Sequence, residues 1–147
     1  MELLNDEVKA QVKDVLGEMM DKPVSILFFS SPDNCEYCEQ TRQLLEEIVP
    51  LNSLLKMEHY DLNEHESLVE QFNVTETPAI VLAGVVGADR VDYGIRFYGI
   101  PAGHEFTSLI NGIILVSRKE SGLKPATRSF LGKLNKDILL RVFVTPT

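Results

Sequence analysis

A pair of cysteines directly after an apolar run is the feature that most constrains the fold of this chain. Residues 24–29 read VSILFF, and such a short stretch of branched and aromatic side chains is typical of a buried strand. Residues 30–34 (SSPDN) are turn and cap formers, and Cys35 and Cys38 follow in a stretch with helical spacing that ends near residue 49. We therefore predict a strand, a loop and a helix in this order, with Cys35 at the junction between strand and helix.

The rest of the chain alternates helices with strands. Apolar residues recur every three or four positions over residues 5–21, which predicts an amphipathic helix ahead of the first strand. The remaining predicted elements are a strand at 55–62, a short helix at 64–72, strands at 79–83 and 94–98 that form a hairpin around a turn at 84–89, and a helix at 104–121. The resulting order, α-β-α-β-α-β-β-α, indicates an α/β protein.

Composition restricts the class of partner. The 147 residues are 44% hydrophobic and 24% charged, which suits one globular core and excludes collagen-like and disordered chains. The 14 basic and 22 acidic residues leave a net charge of −8, which argues against nucleic acid or an anionic membrane as the partner. The longest mostly apolar run, residues 79–88, is too short for a membrane span, and no signal-peptide pattern opens the chain. We expect a cytoplasmic protein.

The two cysteines are spaced for thiol chemistry. A disulfide that closes so short a loop removes only about 2 kcal/mol of unfolded-state entropy, so a structural staple is a weak explanation. At a helix start, the helix dipole favours a Cys35 thiolate, and Cys38 lies one turn further along on nearly the same face. We assign Cys35 as the nucleophile and Cys38 as the resolving thiol. Glu36, an acid between them, opposes thiolate formation and favours a reduction potential towards the reducing end of the dithiol range.

Thr77-Pro78, at the start of the third predicted strand, is a second candidate element. A cis proline there would bring a backbone segment without a proline N–H beside the sulfurs. It would also leave the Thr77 backbone free to pair with an extended substrate. Tyr37, between the cysteines, is expected to be an exposed ring, which is compatible with substrate contact and also with no role at all.

These residues together resemble the thioredoxin and glutaredoxin superfamily over about residues 24–121. Residues 97–106 (FYGIPAGHEF) and 142–147 (VFVTPT) more specifically resemble archaeal-type protein disulfide oxidoreductases, which carry two thioredoxin-fold units in tandem, each with its own Cys-x-x-Cys. The resemblance implies a thioredoxin-like fold in which a four-stranded mixed sheet is flanked by helices. It also implies dithiol–disulfide exchange without a bound cofactor, on protein thiols and disulfides, with a redox partner such as a thioredoxin-reductase-like flavoprotein.

Two departures limit what the resemblance carries over. Thioredoxins have a buried aspartate six residues before the first cysteine, and here that position is Phe29, so the acceptor of the Cys38 proton is not identified. The intervening pair Glu36-Tyr37 is neither the Gly-Pro of thioredoxins nor the Pro-Tyr of glutaredoxins. The potential and the use of glutathione therefore cannot be transferred.

The end of the chain partly repeats its beginning. Residues 138–146 (ILLRVFVTP) align with residues 24–32 (VSILFFSSP), and in the resembled family a second Cys-x-x-Cys follows directly after such a Thr-Pro-Thr. We expect residues 1–134 to form one thioredoxin-fold unit that ends in a short helix at 125–134. Residues 135–147 would be the first strand of a second, truncated unit, although coincidence between two apolar strands is the alternative. Such a strand would pair with the edge of this sheet or with its copy in another molecule, giving a dimer.

Two other functions stay open at this point. The chain could be a docking or structural half of a longer protein whose second unit does most of the catalysis. It could also be a structural zinc protein, because His59 and His65 follow Cys35 and Cys38 at a permitted ligand spacing. We expect no metal, because only His59 of the two histidines lies in a regular predicted element, and we expect His65 and His104 to face solvent or to cap helices.

Overall fold

A four-stranded mixed sheet forms the centre of the structure, a computed structural model that describes residues 2–145. The strands are β1 (Val24–Ser30), β2 (Leu55–Asp61), β3 (Ala79–Val86) and β4 (Asp89–Tyr98), in the order β2-β1-β3-β4. β1 is parallel to β2 and antiparallel to β3, which is antiparallel to β4. The structure confirms the predicted α/β class and the mixed sheet of four strands.

Within residues 2–145, five α-helices accompany the sheet: α1 (Asp6–Met19), α2 (Cys38–Ile48), α3 (Glu66–Gln71), α4 (His104–Arg118) and α5 (Pro125–Leu131). The element order from α1 to α4 is the predicted one. Asn5 caps α1, since its side chain accepts the Val8 N–H at 2.9 Å. Within the described residues, no helix is both long enough and apolar enough to cross a membrane.

The sheet has an apolar cluster on each face because side chains alternate along β1. Val24, Ile26 and Phe28 belong to the larger cluster, together with buried residues of α1, α2 and α4. Leu27 and Phe29 belong to the smaller cluster, which includes side chains from α3 and from the residues after it. β1 is therefore buried on both faces, and its carboxyl end is held at a fixed place in the fold.

The hairpin between β3 and β4 is tighter than the sequence predicts. Gly84, placed in the turn by its composition, lies in β3 and pairs with Val91 of β4. The turn itself is reduced to Gly87 and Ala88, and Gly87 takes the positive φ of +62° that such a turn requires. Both strands are longer than predicted because strand pairing with a neighbour outweighs the local turn preference of a glycine.

Residues 132–145 form neither helix nor strand, and the apolar side chains of residues 138–144 are exposed, with Phe143 at 89%. The strand predicted at 138–144 is therefore not formed, and the segment does not lie in the sheet. An isolated strand leaves its backbone groups unpaired, so it needs a neighbour that the described residues do not supply. Pro146 and Thr147, on which the predicted repeat also depends, lie outside the described residues.

Part of the exposed segment lies beside the domain. Leu140, Val142 and Val144 line a shallow pocket of about 370 Å³, and β4 and the first turns of α4 form its other walls. The assignment of 135–147 to a second unit stays a prediction.

Candidate active site

Cys35 and Cys38 are joined by a disulfide just beyond the carboxyl end of β1. Their Cα atoms are 5.5 Å apart, which is within the ordinary range for bridged cysteines. Both residues are half-buried, so the bridge is neither sealed in the core nor fully open to solvent. The fold thus brings the two cysteines to disulfide distance at a partly accessible place.

The helix after the disulfide begins at Cys38, and the prediction that Cys35 opens it is wrong. The first α-helical hydrogen bond runs from the Thr41 N–H to the Tyr37 carbonyl at 2.9 Å, and Tyr37 is the N-cap. Asn34, with a φ of 55°, and the turn that follows it carry Cys35 outside the helix. Helical spacing cannot detect this start, because a turn can place the same side chains on the same side. The positive end of the helix dipole therefore lies at Cys38.

The segment Thr77-Pro78 lies at the same end of the sheet as the cysteine loop. Ala79 pairs with Phe29 near the end of β1, which puts Pro78 beside that end. The peptide bond between Thr77 and Pro78 is cis, Pro78 is buried, and its carbonyl accepts the Gly99 N–H at 2.9 Å. Thr77 is half-buried, and among the described residues its backbone groups take part in no hydrogen bond. Within the described part of the chain, both groups are therefore unpaired.

Tyr37 is 44% exposed, between the two cysteines. Just beyond Cys38, the outer face of α2 carries charge: Arg42 binds Glu39 (Nη2 to Oε1, 2.5 Å) and Glu46 (Nη1 to Oε1, 2.6 Å). The hydrogen bond from Arg42 holds the pKa of Glu39 below its usual range. The surface around the cysteines therefore combines an exposed aromatic ring with a solvated ionic group.

The structure does not assemble the zinc site that the sequence allowed. His59 Nε2 is 2.7 Å from Ser30 Oγ, and its ring stacks on Phe28 with centroids 4.8 Å apart. His65 Nδ1 is 3.2 Å from the Asp61 carbonyl oxygen. In the part of the chain that the structure describes, no three His, Cys, Asp or Glu side chains come together in a way that could hold a metal ion. Both histidines have other partners, and both cysteines are in the disulfide.

Phe29 fills the position where thioredoxins have an aspartate. It is fully buried, with ring centroids 5.5 Å from Tyr60 and 6.3 Å from Phe72. Since β1 has no acidic residue, it offers no carboxylate to accept the Cys38 proton.

Thr41 is a residue of this region that the sequence analysis missed. It is fully buried in α2, and its Oγ1 has no hydrogen-bond partner among the described residues. A usable signal was present in the sequence: Cys38, Thr41, Leu45 and Ile48 recur at helical spacing, so the inner stripe of the helix contains a hydroxyl.

Comparison with known proteins supports this architecture. A protein-family model described as a thioredoxin domain matches residues 24–89, which include both cysteines and the Thr77-Pro78 segment. Alkyl hydroperoxide reductase (F subunit) of Staphylococcus aureus is 28% identical over 145 residues, covering 99% of this chain and 25% of that protein. An NADH dehydrogenase of Ferdinandcohnia aciditolerans is 30% identical over 115 residues, covering 78% of this chain and 18% of that protein.

Solved structures share the fold. A protein disulfide oxidoreductase from Aeropyrum pernix is 28% identical with a TM-score of 0.76, covering 90% of this chain and 57% of that one. The NTD_N/C domain of alkylhydroperoxide reductase AhpF from Enterococcus faecalis has a TM-score of 0.74 at 21% identity, covering 86% of this chain and 58% of that one. The chain thus spans a quarter or less of these curated relatives and somewhat more than half of these solved chains.

Proposed function

Since the chain belongs to the thioredoxin superfamily, we propose that it is a thiol–disulfide oxidoreductase that acts on protein substrates through Cys35 and Cys38. The observation that carries the proposal is the disulfide between two half-buried cysteines, at the end of a fully packed strand. A purely structural disulfide over so short a loop would add little stability to a domain with so extensive a core. A partly accessible bridge can instead be attacked by an incoming thiolate.

The exchange divides into two displacements. In the reducing direction, the Cys35 thiolate attacks one sulfur of a substrate disulfide, forms a mixed disulfide and releases one substrate thiolate. The Cys38 thiolate then attacks Cys35, which reforms the bridge and releases the second substrate thiolate. Two electrons pass from the cysteine pair to the substrate, and the released thiolates take up two protons. The reverse sequence oxidises a substrate dithiol.

Cys35 suits the first step because it lies outside α2, in the loop that follows β1. Cys38 suits the second step because, as the first residue of the helix, it lies at the positive end of the helix dipole. The Thr77 N–H and carbonyl would pair with an extended substrate segment, and Tyr37 would contact its side chains. These assignments rest on the cysteine placement and on the free backbone groups of Thr77.

The proposal extends to the longer proteins that this chain resembles. We propose that residues 135–147 belong to a second thioredoxin-fold unit, a proposal supported by the apolar, exposed side chains of residues 138–144. A thioredoxin-reductase-like flavoprotein would return electrons to the cysteine pair, in the cytoplasm. Mixing the oxidised chain with such a reductase and NADPH, and following NADPH consumption, tests the partner.

Insulin reduction tests the function itself. With dithiothreitol as the electron source, the chain should accelerate precipitation of the insulin B chain. Cys35→Ser should abolish the acceleration, and Cys38→Ser should accumulate a mixed disulfide that mass spectrometry detects. Full acceleration by Cys35→Ser would overturn the proposal.

A docking role is the second candidate, because the chain spans only a quarter of the alkyl hydroperoxide reductase F subunit that it matches. In that case this unit would hold substrate while another part of the protein performs the exchange. Oxidative refolding by the longer protein separates the two: full activity of its Cys35→Ser variant would favour docking, and a large loss would favour exchange at this pair.

A further inference from the structure

Thr41 is the buried polar residue of α2 whose burial is not explained by the fold. The inward stripe of this helix is otherwise apolar, made up of Leu44, Leu45 and Ile48, and Thr41 is as completely buried as they are. A buried hydroxyl normally makes a hydrogen bond, because losing water without a replacement costs free energy.

The hydroxyl of Thr41 makes no such bond to the described residues. A helical threonine commonly bonds the carbonyl four residues earlier, which here belongs to Tyr37. That carbonyl accepts the Thr41 backbone N–H at 2.9 Å, and the side chain does not join it. The usual local partner therefore does not account for this hydroxyl.

Cys38 lies one helical turn before Thr41, and positions three apart share a helix face. In the oxidised chain the Cys38 sulfur is bonded to Cys35, so it has no proton to donate and accepts weakly. After reduction, the same sulfur is a thiol that can donate or a thiolate that accepts strongly. Reduction of the disulfide would therefore offer Thr41 a hydrogen-bond partner that the oxidised Cys38 sulfur does not provide.

Two ionisable side chains of this region, Glu39 and His59, already have partners. Glu39 is exposed and paired with Arg42, and His59 is bonded to Ser30. Position 29, on β1, is a phenylalanine. Thr41 is therefore the buried polar group on the same helix face as Cys38 that remains free to respond to its protonation.

We propose that the Thr41 hydroxyl hydrogen-bonds the Cys38 sulfur in the reduced chain, and that this bond makes the reduction potential of the Cys35–Cys38 pair less negative. The proposal deepens the exchange function proposed above and rests on it. When a substrate dithiol reduces the pair, two electrons and two protons move to the chain. The Cys35–Cys38 bond breaks, the substrate disulfide forms, and Cys38 gains a thiol beside Thr41. A bond made only in the reduced chain stabilises that chain alone.

Thr41→Val tests the proposal, because valine keeps the size and branching of threonine without the hydroxyl. The redox equilibrium of each purified chain is measured in dithiothreitol buffers, with alkylation and mass spectrometry to count free thiols. Thr41→Val should shift the equilibrium threefold to tenfold towards the disulfide, which corresponds to a potential about 14 to 30 mV more negative. Thr41→Ser keeps the hydroxyl and should stay within twofold of the natural chain.

Two results would overturn the role of Thr41. An unchanged equilibrium in a folded Thr41→Val chain would show that the hydroxyl does not distinguish the two redox forms. An equal shift in Thr41→Ser would show that the methyl group, through packing, causes the effect. Circular dichroism checks folding, and Thr41→Ala is titrated by the same criteria if valine prevents folding. If the natural chain itself does not titrate reversibly, the exchange function fails, and the role of Thr41 fails with it.

Discussion

His59 Nε2 lies 2.7 Å from the Ser30 hydroxyl, at the end of β1 from which the cysteine loop departs. The parallel register of β1 and β2 sets this contact, since it places His59 beside Phe28, on whose ring the imidazole stacks. Loss of water from the ring where it stacks on Phe28, and then the charge of Arg42, lower the pKa of His59. The folded chain therefore holds this histidine neutral to a lower pH than the unfolded chain does.

The lowered pKa of His59 predicts a loss of stability in mild acid. A histidine that binds its proton less readily in the folded chain contributes stability above its unfolded pKa of about 6.5, and this contribution is lost as the pH falls through the folded pKa. The melting temperature should therefore fall between about pH 7 and pH 5, and His59→Gln should flatten that fall. His104→Gln, at the exposed start of α4, is the matched control. An unchanged slope in His59→Gln would contradict the prediction.

Glu58 on β2 predicts a second pH effect. Arg90 donates to both of its carboxylate oxygens, at 2.7 and 2.8 Å, and the buried Ser25 hydroxyl donates as well. The hydrogen bonds from Arg90 hold the pKa of Glu58 below its usual range. Stability from this group is therefore present above about pH 4.3 and is lost as the pH falls through the folded pKa.

Glu58→Gln should lower the free energy of unfolding at pH 7 by about 1–2 kcal/mol, since it weakens charge-assisted hydrogen bonds to Arg90 and Ser25. The Glu58→Gln variant should also lose less of its free energy of unfolding than the natural chain does between about pH 4.5 and pH 3. Urea unfolding at each pH measures both. Glu39→Gln removes an exposed ion pair on α2 and should change the pH 7 value little. Equal effects of the two variants would count against the special position of Glu58.

The cysteines should differ in reactivity after reduction. Cys35 lies in the loop before the helix, whereas Cys38 belongs to α2 and continues its inner stripe. Access of the reagent should outweigh the helix dipole at Cys38, so brief treatment with iodoacetamide at neutral pH should label Cys35 well before Cys38, as peptide mass spectrometry would show. Equal labelling rates would remove the basis for treating Cys35 as the nucleophile.

The C-terminal segment should promote self-association without supporting the core. Its apolar side chains are exposed, and a strand-forming sequence in that state tends to pair with another chain. Removal of residues 136–147 should leave the melting temperature nearly unchanged and shift sedimentation towards monomer. Phe143→Ser, at the most exposed of these positions, should weaken association in the full chain. Unfolding of the truncated chain would show instead that the segment belongs to this domain.

The position of the cysteine pair could be predicted because its signals are local. Residues 24–29 are apolar apart from Ser25, since β1 is covered on both faces, and turn formers follow. The beginning of α2 was harder to predict. Residues 35–37 precede the helix, but their sequence resembles that of a first helical turn. Gly84 was misplaced for a different reason: its pairing with Val91 is a contact between strands, which local composition does not encode.

The surroundings of the pair depend on contacts that no local pattern reveals. His59 meets Ser30 only because β2 lies parallel to β1 in one register, and a shift by one residue would turn His59 to the other face. Thr41 could have been noticed from helical spacing. Its lack of a partner becomes visible only when the packed structure is present.

A redox titration of Cys35 and Cys38 tests the account most directly. We predict one reversible two-electron transition with a potential between about −180 and −270 mV, the range of dithiol oxidoreductases that work towards the reducing side. Structural disulfides have potentials below about −300 mV. A potential in that lower range, or a bridge that does not reform after reduction, would contradict the claim that this pair exchanges electrons with protein substrates.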